Sequence, residues 1–373
     1  MFLILPESFS VVDRKKKKAV AAWLLAGVIM IIIQTLLGGV TRLTGSGLSI
    51  TKWNPLFGIL PPLNHQQWED AFNGYKHIGQ FKYINSDFTL TDFKSIFFWE
   101  WLHRFWARML GIVFAVGFVY FLVKKYFDQQ MIRPFIILFL LGGLQGLIGW
   151  LMVKTGLNSE DIHVNYIALA CHFLSAMVLA CYTLWFALQL LIPEEKRLAN
   201  KKLRGFTLAI ICLLFVQLMY GAFMAGLKAA MVAHTWPDIN GMYLPPTLFT
   251  NSLVHDHDIG ALSINVHFMH RTIAYVLFTL LMFWFAGTAR SARKHEERIL
   301  KTTRWWPFVL VWLQVLLGIA AVLCSPMIVP GKFGTFEMLA ELHQLVAMFL
   351  LMSMVVNLYI LNGSRRQAGQ AMT

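Results

Sequence analysis

The chain has 373 residues, of which 57% are hydrophobic and only 14% are charged. Apolar runs of about 18 to 25 residues recur along it, the length that crosses ~30 Å of membrane hydrocarbon, so the composition excludes an ordinary water-soluble domain. The formal net charge of +13 could indicate a nucleic-acid-binding protein. The basic residues, however, are concentrated in segments on one side of the apolar runs, which excludes that class.

The apolar runs predict eight membrane spans. Their boundaries lie near 19–38, 96–123, 134–153, 164–192, 206–227, 262–287, 305–324 and 337–361. All eight are expected to be helices, because the backbone of a segment in lipid must satisfy its own hydrogen bonds. The runs are also too long and too evenly apolar for barrel strands. The predicted fold class is therefore an all-α membrane protein with eight transmembrane helices.

The basic residues predict the orientation of these spans. Lysines and arginines cluster in the segments 14–18, 124–133, 196–204, 290–304 and 365–366. All five segments fall on the same side of the predicted membrane, which indicates that both termini are cytoplasmic. The first 18 residues have neither the organisation of a cleavable signal nor that of an organelle presequence. We therefore expect a multi-pass protein of a bacterial plasma (inner) membrane.

The two halves of the sequence resemble each other. A Gln-x-x-x-Gly motif occurs once in each odd-numbered span, at Gln34–Gly38, Gln145–Gly149, Gln217–Gly221 and Gln314–Gly318. The bland interpretation of one such motif is close helix packing, but its fourfold recurrence indicates a duplication. We therefore predict two tandem, pseudo-symmetric four-helix bundles at 19–198 and 199–361. A basic tail at 1–18 and a second tail at 362–373 flank them.

Each even-numbered span carries one histidine, and these are His103, His172, His270 and His343. Each lies seven or eight residues from the outer end of its span, about 10–12 Å below that surface. Histidines on facing helices are typical axial ligands of haem iron, which predicts the pairs His103 with His172 and His270 with His343. Zinc or copper is the rival ligand, but no cysteine or carboxylate cluster completes such a site.

Two further features bear on a haem site. The four cysteines lie in spans or at an outer helix end, and no CxxCH motif is present, so any haem is expected to be held non-covalently. Basic residues near the outer helix ends could pair with haem propionates or reach lipid head groups instead. They are Arg42, Arg104, Arg108, Lys154, Lys228 and Arg271.

The halves differ three residues before the first histidine of each. The N-terminal half has Glu100 there, and the C-terminal half has His267. Glu100 and His103 share a helix face, so the carboxylate should lie beside a haem bound there. A carboxyl group in a span is a functional candidate, and the alternative is a hydrogen-bonded interface residue. We interpret the N-terminal half as reactive and the C-terminal half as electron-carrying.

At these residues the chain resembles the haem A synthase family, over nearly its whole length. The motifs that carry the resemblance are GGVTRLT at 38–44, SGLS at 46–49, the segment 89–108 around Glu100-x-x-His103-Arg104, GWLMVKTGL at 149–157 and GAFMAGL at 221–227. The long first outer loop makes this chain more similar to the mitochondrial and proteobacterial branch than to the short-looped Gram-positive branch. The chain lacks the outer-loop cysteine pair of some members, so no redox role for such a pair is carried over.

The resemblance implies an oxidoreductase that oxidises the C8 methyl of haem O to a formyl group by successive hydroxylations. The product, haem A, would serve terminal oxidases, so the protein would act in cytochrome oxidase biogenesis. Glu100 would be catalytic. The substrate haem would be bound by His103, His172, Arg104, Arg108 and Arg42. A permanent haem b would be bound by His270, His343 and Arg271.

The resemblance also implies partners. These are haem O with the synthase that makes it, an electron-transfer partner that the sequence does not identify, and membrane lipid. Nucleic acid is not expected, and a homo-oligomer is left open.

Other interpretations stay open at this point. A two-haem b-type electron-transfer cytochrome explains the four histidines and the duplication, but not Glu100. A transporter or haem chaperone would also suit a repeated membrane fold. His267 could contact the second haem or simply pack. A metal site is conceivable in the outer-loop segment from His255 to Asp258, although solvated loop residues are the ordinary case.

Overall fold

The computed structural model describes residues 14–52, 59–249, 259–294, 298–329 and 333–363. Within these residues it has eight helices long and apolar enough to cross a membrane. They are α1 (Arg14–Leu43), α2 (Leu90–Val123), α3 (Gln129–Gly156), α4 (Tyr166–Leu191), α5 (Lys201–Gly226), α6 (Ile259–Lys294), α7 (Trp305–Cys324) and α8 (Thr335–Ile360). The prediction of an all-α protein with eight spans is confirmed.

Several helices extend beyond the apolar runs that predicted them. α1 begins at Arg14 and so includes the basic residues expected in a tail, and a short helix, Arg298–Thr303, precedes α7. At the outer side α2 begins at Leu90, where Thr89 and Asp92 form a capping box. Hydropathy identifies only the part of a helix in lipid, whereas the chain continues as a helix until a cap satisfies its end.

α1, α4, α5 and α8 lie at the centre of the molecule, and the other four spans lie outside them. α1 packs against α2 and α4, and α3 packs against α4. In the second half α5 packs against α6 and α8, and α7 packs against α8. Between the halves α4 contacts α5, and α1 contacts α8. These pairings are compatible with two related bundles, while the domain boundaries at residues 198 and 361 stay a prediction.

Two hydrogen bonds between buried polar side chains join helices near the inner side of the second half, as a membrane interior favours. The ring of Trp284 is fully buried, and its Nε1 donates to Thr207 Oγ1 at 2.8 Å, which joins α6 to α5. Thr303 Oγ1 donates to Asn357 Oδ1 at 2.9 Å. The second bond attaches the short helix before α7 to the inner end of α8.

The first outer loop forms a small folded cap, which the sequence interpretation did not foresee. It contains the helices His65–Tyr75 and Gly79–Tyr83. Phe72, Tyr75 and Phe93 form a second hydrophobic cluster there, apart from the main core. Tyr75 donates to Gln80 Oε1 at 3.0 Å, and Gln80 Nε2 donates to the Gly45 carbonyl at 3.0 Å. Burial raises the pKa of Tyr75 to about 12. The hydrogen bond from Gln80 to Gly45 joins the cap to the segment that follows α1.

We expect Phe93→Ala to loosen this cap, because the ring is fully buried against Phe72 and Tyr75. Truncation of a buried phenylalanine costs about 3–5 kcal/mol. Limited proteolysis in detergent should show faster cleavage between residues 59 and 89. Phe98→Ala is the matched control, since this side chain lies on the same helix and is exposed. Equal cleavage of the two variants would contradict a cap held by the Phe93 cluster.

Candidate functional site

Each histidine of the N-terminal half is contacted by the glutamine of the helix before it. Gln34 Nε2 of α1 lies 3.1 Å from His103 Nδ1 and 3.2 Å from its Nε2. Gln145 Nε2 of α3 lies 3.2 Å from His172 Nδ1 and also donates to the His172 carbonyl at 3.0 Å. The Oε1 of Gln145 accepts a hydrogen bond from Ser175. The amide groups thus limit how the imidazoles can turn.

The C-terminal half repeats this arrangement. Gln217 Nε2 of α5 lies 3.4 Å from His270 Nε2 and donates to the His270 carbonyl at 3.0 Å. Gln314 Nε2 of α7 lies 3.0 Å from His343 Nε2, and the Gln314 carbonyl lies 3.0 Å from His343 Nδ1. The glutamine–histidine contact therefore occurs four times, once for each pair of consecutive spans.

The glycine of each motif lies directly against the same imidazole. A Cβ on Gly38 would lie 3.0 Å from Cε1 of His103, and one on Gly149 would lie 2.7 Å from Cε1 of His172. In the C-terminal half, a Cβ on Gly221 would lie 3.4 Å from Cε1 of His270, and one on Gly318 would lie 2.9 Å from Cε1 of His343. Glutamine and glycine four residues apart share one helix face. The packing interpretation of the motif was therefore incomplete, because the glycine makes room for a histidine ring and the glutamine binds that ring.

The structure brings together the histidines that were predicted to pair in the C-terminal half. The ring centres of His270 and His343 are 6.3 Å apart, and the rings are inclined at 68°. Two imidazoles that share one metal ion have a similar spacing, given a metal–nitrogen bond of about 2 Å and a ring radius of about 1.1 Å. In the N-terminal half, His103 and His172 are close enough to interact electrostatically.

Several buried polar atoms around these rings have no partner among the described residues, which suits the binding of a metal-containing group with polar substituents. Oε1 of Gln34, Gln217 and Gln314 and Nδ1 of His270 are buried and lack a hydrogen-bond partner in the part of the chain that the structure describes. Buried polar atoms ordinarily find a partner. Over the same residues, no group of three or more histidine, cysteine or acidic side chains could hold a metal ion. Histidine pairs alone suit haem iron better than zinc.

Glu100 is buried, with 2% of its surface exposed, and is held by three partners. Its Oε2 accepts from Ser49 Oγ at 2.7 Å and from the Ile50 N–H at 2.8 Å. Its Oε1 accepts from Arg104 at 2.5 Å, and Arg104 also donates to the Ile50 carbonyl at 3.2 Å. The carboxylate is thus fixed against the segment after α1. The sequence interpretation gave Ser49 and Ile50 no role, since their approach to Glu100 depends on the folded outer cap.

His267, the counterpart of Glu100, has different surroundings. It is buried, and neither ring nitrogen has a hydrogen-bond partner among the described residues. Arg271, one turn further along α6, donates to the Asp238 carbonyl at 2.7 Å. His234, in the outer loop before α6, lies 2.6 Å from Ser325 Oγ through Nδ1. The predicted loop site from His255 to Asp258 lies outside the described residues.

The other predicted basic residues do not converge on one point. Arg42 NH1 reaches the carbonyl of Ala225 at 3.5 Å, and therefore joins the outer end of α1 to that of α5. Burial, followed by the charge of Arg42, lowers the pKa of Lys228. Lys154 Nζ lies over the Trp150 ring, 5.3 Å from its centre. Arg108, one turn after Arg104, is half-buried on α2.

Two buried carboxyl groups of α8 were missed by the sequence interpretation. Glu337 Oε2 accepts from the Gly334 N–H at 2.9 Å at the start of the helix. Glu341 lies against Gly39 of α1, where any Cβ would overlap its carboxylate. Gln344 Nε2 reaches the Thr35 carbonyl at 3.4 Å across the same interface. Acidic residues in a predicted span were the signal that could have found them.

A comparison of the sequence with protein families decides the relationship. The model of COX15-CtaA, described as cytochrome oxidase assembly protein, matches residues 21–355. The chain belongs to this family. The family resemblance inferred from the motifs is confirmed, and so is the multi-pass helical fold.

Individual members of the family match over most of their length. A protein of Flavobacterium johnsoniae is 36% identical over 355 residues, which are 94% of this chain and 99% of the relative. A protein of Parvibaculum lavamentivorans is 36% identical over 82% of this chain and 86% of its own. One of a Bradyrhizobium species is 38% identical, over 89% and 88%. All three are named heme A synthase.

The glycine contacts predict opposite effects of two alanine substitutions on α3. In Gly149→Ala the new methyl group would lie 2.7 Å from His172, and we expect a loss of about 1–3 kcal/mol through overpacking. In Gly146→Ala the new methyl group would have no atom of another described segment within 4 Å. A gain in stability of up to about 1 kcal/mol is expected from helix propensity. Thermal unfolding in detergent measures both. Equal midpoints would show that the glycine does not make room for the imidazole.

Proposed function

We propose that this protein makes haem A, by oxidising the C8 methyl of haem O to a formyl group in successive hydroxylations. The observation that carries the proposal is the fourfold Gln–Gly–His arrangement, in a member of a family whose named relatives are heme A synthases. Two pairs of histidines at matched positions suit two tetrapyrroles. Glu100, a buried carboxylate one helical turn from His103, has an imidazole, His267, at the equivalent position of the other half, and this difference suits chemistry in one half.

In this proposal His103 and His172 bind the substrate haem O and the product haem A. Support comes from Gly38 and Gly149, which leave space for the imidazoles, and from the glutamine amides that orient them. Arg42 and Arg108 are the candidates for the propionates. Arg104, also predicted there, is bound to Glu100, and we assign it the further task of positioning that carboxylate.

The C-terminal half would hold a permanent haem b between His270 and His343, with Arg271 at its edge. The ring spacing of 6.3 Å and the buried atoms without partners support this assignment. When bound, haem b would supply one-electron transfer between the substrate half and a partner outside the protein. The chain's contribution is to hold the two imidazoles at a fixed separation and to exclude water from them.

Glu100 would act on the substrate methyl group. With water as the source of the oxygen atom, oxidation of a methyl group to an aldehyde releases four electrons and four protons, and the electrons would leave through haem b to the outside partner. Positive charge would develop at the methyl carbon as electrons are withdrawn from it. A carboxylate held by Ser49, Ile50 and Arg104 needs little rearrangement to stabilise such charge. Alternatively the carboxylate could accept a proton from the substrate, because it lies one helical turn from His103, the proposed ligand of the substrate haem. With 2% of its surface exposed, Glu100 is kept away from bulk water.

The proposal extends to the surroundings of the protein. Haem O would come from the synthase that makes it, and electrons would pass to an unidentified partner. The basic residues at the start of α1 and in the segments 196–204 and 290–304 support cytoplasmic termini in a bacterial plasma membrane.

The first test is to identify the haems that the protein binds. Purified in detergent from cells that also make haem O, the wild type should release haem b with haem O, a hydroxylated intermediate or haem A, separated by mass and retention. Glu100→Gln should keep haem O and lose the oxidised species, because the amide carries no charge. Haem b alone in the wild type would favour an electron-transfer cytochrome, and oxidised haem in Glu100→Gln would refute the role of the carboxylate.

Matched histidine variants test the division of labour between the halves. His103→Ala should lose haem O and its products but keep haem b, whereas His270→Ala should lose haem b. Each substitution removes one axial ligand from one pair and leaves the other pair intact. The haems extracted from each variant are compared with those of the wild type. Loss of the same haems from both variants would contradict the assignment of separate sites.

A further inference from the structure

We propose that His267 and Arg271 bind a propionate carboxylate of the haem held in the C-terminal half. The inference rests on the proposed function, since it assumes a tetrapyrrole at His270 and His343. It assigns His267 a ligand, a carboxylate carried by the tetrapyrrole, in place of the packing role that its position in a span would suggest.

His267 is the first observation. Only 1% of its surface is exposed, and both ring nitrogens lack a hydrogen-bond partner among the described residues. A buried donor without a partner costs about 1–3 kcal/mol of stability, so such groups are rare in native interiors. An imidazole that only fills space would be replaceable by an apolar side chain without that cost.

Arg271 is the second observation. Its NH1 donates to the Asp238 carbonyl at 2.7 Å, while its buried Nε and NH2 have no partner in the described part of the chain. His267 and Arg271 are four residues apart on α6 and therefore share a face. The carboxylate of Asp238 is bound to Thr235 and Gly241 instead. Arg271 and His234 are both near enough to act on the charge of His267. Among the described residues, the site thus offers the unpaired nitrogens of His267 and Arg271, and the acceptor that Arg271 has there is a backbone carbonyl.

The N-terminal half provides an internal comparison. There Glu100 and Arg104 occupy the same two positions of the repeat, and Arg104 also donates to a loop carbonyl, that of Ile50. The carboxylate of Glu100 fills the acceptor position beside Arg104. In the C-terminal half the chain has His267 there, and among the described residues no carboxylate is hydrogen-bonded to Arg271. A ligand that brings its own carboxylate would complete the site, and a propionate is the carboxylate that a haem carries.

The difference agrees with the two tasks proposed for the halves. A substrate site must release its tetrapyrrole after oxidation, and Arg104 is already occupied by Glu100. A resident haem must stay in place, and Nε and NH2 of Arg271, which have no partner among the described residues, could provide an additional anchor. The two halves would therefore differ in how tightly they hold a carboxylate, although their histidine, glutamine and glycine contacts are alike.

The test compares haem b with its dimethyl ester, which has no propionate charge. The full-length protein, freed of haem, is titrated with each compound, and binding is followed by absorbance. The wild type should bind haem b about tenfold more tightly than the ester. Arg271→Met and His267→Leu should each weaken haem b by about tenfold and leave the ester unchanged, because only the carboxylate contact is lost. His267→Glu should weaken haem b most, because it copies the arrangement of the N-terminal half.

Two controls keep the outcomes separate. Lys82→Met, which removes an exposed cation from the cap helix Gly79–Tyr83, should change neither affinity. His343→Ala should abolish binding of both compounds to the C-terminal half. If the wild type shows no binding that depends on His343, the proposed function fails together with the inference. If that binding is present but the ester binds as tightly as haem b, or the variants weaken both compounds equally, the carboxylate site alone is refuted. His267→Gln, which keeps a polar side chain, replaces His267→Leu if the latter fails to fold.

Discussion

The contact between a glutamine amide and an imidazole on the next helix is the interaction on which this structure depends. A histidine in a membrane interior has few partners, and its ring needs to be oriented before it can bind anything. Here a glutamine amide binds the imidazole of the next helix, and a glycine one turn further along leaves space for that ring. The two residues together fix the orientation of the ring. The four repetitions join α1 to α2, α3 to α4, α5 to α6 and α7 to α8.

The two contacts between the halves, α1 with α8 and α4 with α5, differ in the polarity of their side chains. Where α1 meets α8, Glu341 lies against Gly39, and Gln344 reaches the backbone of Thr35. Polar side chains at a helix interface in lipid hold the helices in register, since a shift would leave them without partners. At the corresponding positions of α4 the chain has Ala170 and Phe173. One of the two equivalent interfaces is thus polar, and the other is apolar.

Much of the fold and part of the site were accessible from the sequence. The spans followed from hydropathy, and the proximity of His270 and His343 was expected from their equal positions in a repeat, both of which are local or periodic signals. The hydrogen bonds of Glu100 to Ser49 and Ile50 were not accessible, because they join α2 to the segment after α1, residues 51 and 50 positions away in the chain. The same holds for Gly39, whose partner Glu341 lies near the other end of the chain. Such contacts arise from tertiary packing and leave no short-range pattern.

Glu100 and His267 stand at equivalent positions of one chain, which has a consequence for what the two halves can do. A symmetric homodimer of a four-helix subunit would reproduce the contacts of α1 with α8 and of α4 with α5. Its subunits, however, would carry the same residue at the positions of Glu100 and His267. One gene cannot specify both a carboxylate and an imidazole at one place in two identical copies. A single chain, by contrast, has two separate positions, so one half can carry Glu100 and the other His267.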